Sequence, residues 1–367
     1  MITALLVSIG SITALACTLA LLMVIADATI ANYGEVTVTV NGDREFTVKG
    51  GRPLLSTLSA EGIFIPSACG GRGSCGLCKV KLVAGGGQYL PTELPWISEE
   101  EREQNIRLSC QLKVKEDMGI EIPEELFNVR EFRARMARLR DLTHDIKEVT
   151  LELIEPKEME FTAGQFVQFE VPEYELTDEP VYRAYSVASS PADHTKVELE
   201  IRLVPNGICT TYVHKHLAEG DEITLNGPYG DFYLRDSERD IVCIAGGSGM
   251  APLKAILLDM VEKGISRKTR YFFGARSKRD LFLTDEMTEL EGKLPDFKFV
   301  PALSEPQPED EWQGETGLIT DVVAKHLESG DNVEAYLCGS PGMIDACIKV
   351  LSAKGVPEEL IFYDKFA

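Results

Sequence analysis

A multidomain fold of α+β and α/β class is predicted for this chain of 367 residues by three features of its pattern. An uncharged apolar run opens the sequence, period-two alternation between Pro and Gly turns dominates as far as Pro228, and strand and helix patterns alternate beyond Asp240. The expected parts are an N-terminal transmembrane helix at residues 1–26, a β-grasp domain at 34–125, an antiparallel β-barrel at 130–235 and a Rossmann-like parallel-sheet domain at 238–367.

Met1 to Ala26 carries no charged side chain. As a helix rising about 1.5 Å per residue it is long enough for a hydrocarbon core of about 30 Å. Ala26-Asp27-Ala28 would also suit a signal-peptide cleavage site, but the apolar run is longer than an ordinary signal core and lacks a basic leader. Next, Glu35 to Val40 and Arg44 to Lys49 alternate about the turn Asn41-Gly42, which predicts a hairpin. Pro53 opens a short helical stretch, and a loop rich in Gly and Cys follows. Charge is dense from Glu124 to Arg140, which reads as an exposed connection. Short strands then run from Ile146 to Pro228, as in Phe166 to Val171 and Val197 to Val204. In the last part Ile241 to Ala245 precedes Leu253, Ile256, Leu257 and Met260 at helical spacing, and further strand patterns follow at Arg270, Phe297 and Ala335.

The net charge of −22 excludes general nucleic-acid binding, which needs clustered cations. Nine cysteines are too few for a disulfide scaffold at this length, and three of them fall within ten residues. Cys69, Cys75 and Cys78 are separated by five and two residues, and Cys110 follows after 31 more. Four thiolates can hold a 2Fe-2S cluster, and Gly70, Gly71, Gly73 and Gly76 let backbone amides approach the sulfurs. Zinc is the rival ligand, and Cys75-x-x-Cys78 alone would fit it, but zinc ribbons pair two close couples. Cys17, Cys243 and Cys347 read as small buried side chains.

Arg183-Ala184-Tyr185-Ser186 ends a strand pattern and offers a cation, an aromatic ring and a hydroxyl, the groups a flavin nucleotide needs. Gly207-Ile208-Cys209-Thr210 opens a helix whose amides, with the Thr210 hydroxyl, suit a phosphate. Gly246-Gly247-Ser248-Gly249 follows a strand and leads through Pro252 into a helix, the context of a glycine phosphate loop. Cys338-Gly339-Ser340-Pro341-Gly342-Met343 stands at another strand's carboxyl end, where open α/β sheets bind ligands. The basic Arg276, Lys278 and Arg279 would suit a nicotinamide dinucleotide's 2′-phosphate or form a solvated turn.

Taken in order, these motifs resemble the ferredoxin-NADP reductase superfamily. More closely, the chain resembles the family of F subunits of the Na+-translocating NADH:quinone oxidoreductases. That resemblance also rests on Ser67-Ala68-Cys69-Gly70-Gly71, Leu90-Pro91-Thr92-Glu93-Leu94, Gly274 to Arg279 and Pro306 to Asp310. Two segments are shorter than that family's pattern, Val171 to Val181 and Val204-Pro205-Asn206.

The resemblance implies a ferredoxin-type domain ahead of FAD and NADH modules, with FAD contacts by Arg183, Tyr185, Ser186 and Thr210 and with Phe366 stacked on the flavin. It puts Gly246, Gly247, Gly249 and Cys338 around NADH, with Pro252, Gly339 and Met343 in the same motifs, Gly207 at the flavin phosphate, and Ser186 and Cys338 as the catalytic candidates. It further implies a single-pass protein of the bacterial inner membrane with its body in the cytoplasm. There it would feed electrons to membrane-embedded redox subunits for quinone reduction. The reductase component of a multicomponent oxygenase and a membrane-bound redox sensor are the alternatives.

Overall fold

The computed structural model describes residues 2–29 and 33–366, with side chains from residue 9 to 24 in the first segment and throughout the second. Two compact units emerge: Met1–Ile65 with Gly71–Asn128, and Pro66–Gly70 with Val129–Ala367. The chain opens with helix α1 (Ile2–Thr29), whose described side chains are all exposed. Parts of the expected anchor, Met1 to Ala26, lie outside the described residues. Among those described, no helix is long and apolar enough to cross a membrane.

In the first unit β1 (Glu35–Val40) and β2 (Arg44–Lys49) form the hairpin expected at Asn41-Gly42. Helix α2 (Leu54–Ala60), β3 (Lys79–Ala84), the short helix α3 (Glu99–Glu103), β4 (Ile106–Leu108) and β5 (Met118–Glu121) complete it. The sheet order is β2-β1-β5-β3-β4, with β1 parallel to β5 and the other pairs antiparallel. Val36, Val38 and Val40 turn one face of β1 onto Leu54, Leu58, Val80, Leu108 and Ile120, the core of this unit.

The barrel of the second unit begins earlier than its apolar pattern suggests. The supposed connection from Glu124 to Arg140 is a 3₁₀ turn followed by the 12-residue strand β6 (Arg130–Asp141). Phe132, Ala134 and Met136 point inward, while Arg133, Arg135 and Arg138 pair outward with Glu155, Glu152 and Glu148 of β7 (Ile146–Glu155). Cross-strand ion pairs therefore hide a period-two pattern behind charge.

Strands β8 (Phe166–Val171), β9 (Val181–Ser186) and β10 (Lys196–Arg202) follow, then helix α4 (Ile208–Lys215) and β11 (Glu222–Tyr229). The antiparallel order is β10-β7-β6-β11-β8-β9, and a bridge from Val187 to Leu199 joins the two ends.

The remaining elements are β12 (Asp240–Gly246), α5 (Met250–Lys263), β13 (Thr269–Ala275), α6 (Thr284–Lys293), β14 (Phe297–Leu303), β15 (Glu315–Thr316), α7 (Ile319–His326), β16 (Val333–Gly339), α8 (Pro341–Ala353) and β17 (Ile361–Lys365). All strand pairs are parallel, in the order β15-β14-β13-β12-β16-β17. Successive residues of β12 serve opposite faces: Ile241, Cys243 and Ala245 pack with α5 and α6, and Val242 and Ile244 with α7 and α8. That two-sided burial explains the unbroken apolar run. The order reverses between β12 and β16, so their carboxyl ends frame the crevice where such sheets bind ligands.

Candidate functional site

Antiparallel pairing of β3 with β4 brings two of the four cysteines together. Cys78 immediately precedes β3, Cys110 follows β4, and the Ser109 amide donates to the Cys78 carbonyl at 2.8 Å. Both thiols are buried. The Cys110 thiol beside it, and then burial, push the Cys78 thiol well above its ordinary range. Cys75 is half-buried in the same unit, and Cys69 falls in the Pro66–Gly70 segment of the second unit. A Cβ at Gly76 would lie 2.9 Å from the Trp96 ring, so the loop can pass there only as glycine.

Among the described residues no three His, Cys, Asp or Glu side chains converge enough to hold a single metal ion. The thiols of Cys78 and Cys110, brought together beside the glycine loop, are of the kind that iron-sulfur clusters take as ligands.

Sequence reading missed what holds the segment from Gly86 to Glu93, which precedes β4. Arg107 and Glu93, both buried, bond through two contacts, Nε to Oε1 at 2.9 Å and Nη2 to Oε2 at 2.8 Å. The remaining guanidinium hydrogens go to the carbonyls of Gly86, Gly87 and Gln88, and the Leu90 and Leu108 amides donate to the carboxylate. Burial opposes ionisation of Glu93, but Arg107 and the two amides outweigh it and hold the carboxyl below its usual range. The pair's stabilisation is thus present above the ordinary carboxylate range and lost as pH falls through the lowered value. Arg107→Met would strand a buried carboxylate. The expected cost is roughly 3–5 kcal/mol in this unit, measured by urea unfolding.

In the second unit β9 carries the flavin candidates. Arg183 donates to the Tyr182 carbonyl at 2.7 Å, and Ser186 is buried opposite Phe166. Tyr185 meets Phe169 edge-on, with ring centroids 6.3 Å apart. Burial, with Cys209 adding to it, raises the Tyr185 hydroxyl well above its ordinary value, and burial pushes the Cys209 thiol up to about 12.

Gly207 caps α4. Thr210 holds the preceding turn, accepting from the Val204 amide at 3.1 Å and lying 3.3 Å from its carbonyl. Beside that turn lies a cavity of about 700 Å³ lined by Asp145, Arg202, Asn206, Thr211 and Lys215. Arg202, bonded to Asp145 at 2.7 Å, escaped the sequence reading because its charge looks like any strand-end cation.

The two glycine pieces of the sequence meet. Gly246, Gly247 and Gly249 turn from β12 into α5, where Pro252 is buried. A Cβ on Gly249 would lie 2.3 Å from the Cys338 carbonyl oxygen, and one on Gly246 would lie 3.0 Å from the Met343 sulfur. A Cβ on Gly339 would lie 2.8 Å from the Met343 methyl, and the Phe366 amide donates to the Gly339 carbonyl at 2.9 Å.

Asp364, opposite Cys338 in the sheet register, was also missed; burial pushes its carboxyl up to about 6. Burial, with Asp364 adding to it, raises the Cys338 thiol well above its ordinary value. These glycine approaches form a cradle that backbone alone can line, as a dinucleotide phosphate requires.

Three stretches of the chain match families of known proteins. Residues 38–115 match a 2Fe-2S iron-sulfur cluster binding domain, 133–233 an oxidoreductase FAD-binding domain and 243–349 an oxidoreductase NAD-binding domain. Two solved structures share the fold and are 29% identical. The crystal structure of Amycolatopsis cytochrome P450 reductase GcoB has a TM-score of 0.73 over 90% of this chain and 98% of that one. The ferredoxin reductase in carbazole 1,9a-dioxygenase has a TM-score of 0.70 over 91% and 99%.

Among curated relatives, the F subunit of the Na(+)-translocating NADH-quinone reductase of Neisseria meningitidis is 38% identical over 95% of this chain and 96% of its own. Its counterpart of the same name in Actinobacillus succinogenes is 37% identical over 98% of both. With three modules in the same order and likeness over nearly its whole length, the chain belongs to the F-subunit family of the Na(+)-translocating NADH-quinone reductases.

Proposed function

We propose that this chain is the electron-input subunit of a Na+-translocating NADH:quinone oxidoreductase, taking electrons from NADH through FAD to a 2Fe-2S cluster and on to a membrane quinone chain. The observation that carries this reading is the packing of the Gly249 turn against Cys338 and Gly339, with Phe366 tied to Gly339, in a chain that also carries the buried Cys78 and Cys110 pair. Bound FAD supplies the exchange between two-electron and one-electron chemistry, and the cluster supplies a one-electron carrier. Domain limits are assigned at 34–125, 130–235 and 238–367.

Within this reading each residue has a task. Arg183 and the first amides of α4, between the Gly207 cap and Thr210, balance the flavin phosphates. Tyr185 and Phe366 cover the ring, and Ser186 offers a hydroxyl at its reacting edge. The turn Gly246-Gly247-Gly249 with Pro252 orients the dinucleotide, and Gly339 and Met343 close the crevice. Cys338 flanks the nicotinamide, and Asp364 beside it can hold or release a proton near neutral pH. Cys69, Cys75, Cys78 and Cys110 ligate the cluster.

NADH is favoured over NADPH because both arginines near the end of β13 already face an acid. Arg276 lies 3.0 Å from Glu305, Lys278 donates to the Asp310 carbonyl at 3.0 Å and to its carboxylate through the main chain, and Arg279 faces Asp280 at 3.7 Å. Neither arginine is then free to meet a 2′-phosphate without giving up its acid.

The first 26 residues serve as a single-pass anchor in the bacterial inner membrane, with the body in the cytoplasm where NADH is made. Uncharged sequence and outward apolar side chains such as Ile12, Leu15 and Met23 support this. One helix without a charged residue in that run offers no ion path, so sodium would cross in partner subunits.

Likeness to oxygenase reductases favours a second reading, in which the acceptor is a soluble oxygenase. Membrane vesicles decide between them. Deleting this chain is expected to abolish Na+-dependent quinone reduction by NADH, with NADPH at least about tenfold poorer in kcat/KM in the intact system. Undiminished quinone reduction after deletion would overturn the proposal.

A further inference from the structure

The second unit buries a charged cluster that none of these tasks uses. Lys254, one turn into α5, is almost wholly buried. Its ammonium lies 3.2 Å from Glu198 on β10, 3.5 Å from Glu148 on β7 and 3.9 Å from Glu286 on α6. Glu148 also meets Arg138 at 2.6 Å and Arg140 at 3.0 Å, both from β6, and Arg140 reaches Glu286 at 3.2 Å. On the same outer face of the barrel Glu200 is buried with neither carboxyl oxygen hydrogen-bonded among the described residues. The buried hydroxyls of Thr150 and of Tyr271 on β13 are in the same state.

The place of this cluster in the fold gives it a role. The Glu198 main chain holds the segment that follows Ser186: the Ala188 amide donates to the Glu198 carbonyl at 2.8 Å, and the Glu198 amide donates to the Ser189 hydroxyl at 3.2 Å. Lys254 stands on the helix opened by the Gly246–Gly249 turn. One ion pair therefore links the strand end that carries Arg183 to Ser186 with the helix start that packs on Cys338.

We infer that Lys254 is a positioning residue for electron transfer from nicotinamide to flavin, its ion pairs with Glu198 and Glu148 setting the dinucleotide turn against the flavin strands. This rests on the cofactor sites proposed above.

Charge balance makes the link sensitive to pH. Lys254, Arg138 and Arg140 face Glu148, Glu198 and Glu286, which leaves Glu200 as the extra acid. Burial pushes its carboxyl up to about 8; Lys254 opposes the shift, and Glu148, Glu198 and Glu286 add to it. A carboxyl raised in the folded state costs stability as pH climbs from the unfolded value to the folded one. Ionised Glu200 also competes for Lys254, so the link loosens as pH passes about 8.

The test uses the full chain loaded with FAD. In Lys254→Met, flavin reduction at saturating NADH is expected to fall at least about tenfold. The long-wavelength charge-transfer band between reduced flavin and NAD+ should shrink while FAD content is kept. Lys254→Arg should retain both signals, Glu198→Gln should lose part of each, and Glu200→Gln should remove the alkaline decline of the band.

In flavin-free protein, Lys254→Met should speed amide exchange at Ala188 and across 246–250 together. A folded Lys254→Met variant with a wild-type band and wild-type exchange overturns the inference. If that variant does not fold, unchanged band and exchange in Glu198→Gln overturn it. Failure of NADH to bleach the wild-type flavin would instead sink the cofactor reading, and the exchange result would still decide the link.

Discussion

Cys78→Ser is expected to remove the visible absorption of the 2Fe-2S cluster and most of its iron and sulfide, while NADH still bleaches the flavin. The thiol it replaces is buried against Cys110 at the head of β3, a position fixed by the strand pairing and the Ser109 amide. No neighbouring cysteine can take its place without breaking that pairing, and a serine hydroxyl does not supply the soft thiolate that iron-sulfur ligation needs. Flavin reduction should survive because β9, the Gly246–Gly249 turn and Cys338 all belong to the other unit. Electron delivery to the membrane acceptor is expected to drop at least about a hundredfold. Iron and sulfide analysis beside stopped-flow flavin absorbance checks both halves, and unchanged iron content would refute the ligand assignment.

Gly249→Ala should strike the opposite half of the chain. The new Cβ would lie 2.3 Å from the Cys338 carbonyl oxygen and 2.9 Å from the Gly339 amide nitrogen. Those atoms are backbone in β16, which is paired with β12 on one side and β17 on the other, so they cannot yield. The start of α5 must move instead, and with it the amides proposed to orient the dinucleotide. Flavin reduction by NADH is expected to fall about a hundredfold, or roughly 2.7 kcal/mol of barrier. FAD and iron content should stay at wild-type levels. A rate within about threefold of wild type would show that the turn does not set the nicotinamide's place.

Much of this architecture was legible because the signals are local. Asn41-Gly42 marks its hairpin, and the apolar run Ile241 to Ala245 marks a strand buried on both faces. The two glycine turns sit at the carboxyl ends of β12 and β16, the neighbours at which strand order reverses. What escaped depends on contacts between distant residues. Strand β6 shows five arginines within 11 residues, and only the partners on β7 reveal that four of them are paired with acids. Arg107 and Glu93 look like ordinary surface charges until the fold buries them together. Lys254 lies among apolar helix residues, where its charge interrupts the pattern without naming its partners. Asp364 gains meaning only from its register opposite Cys338.

The parallel sheet also governs where natural variation can act. Every side chain from Ile241 to Ala245 is enclosed by one helix layer or the other, so a lineage can alter this strand only with matching changes across a packed core. The turn from Arg276 to Asp280 and its partner Glu305 bury no side chain in that core. On the proposed reading of this turn, selection can therefore retune which reduced coenzyme the chain accepts by exchanging a few surface charges, leaving the inherited strand untouched.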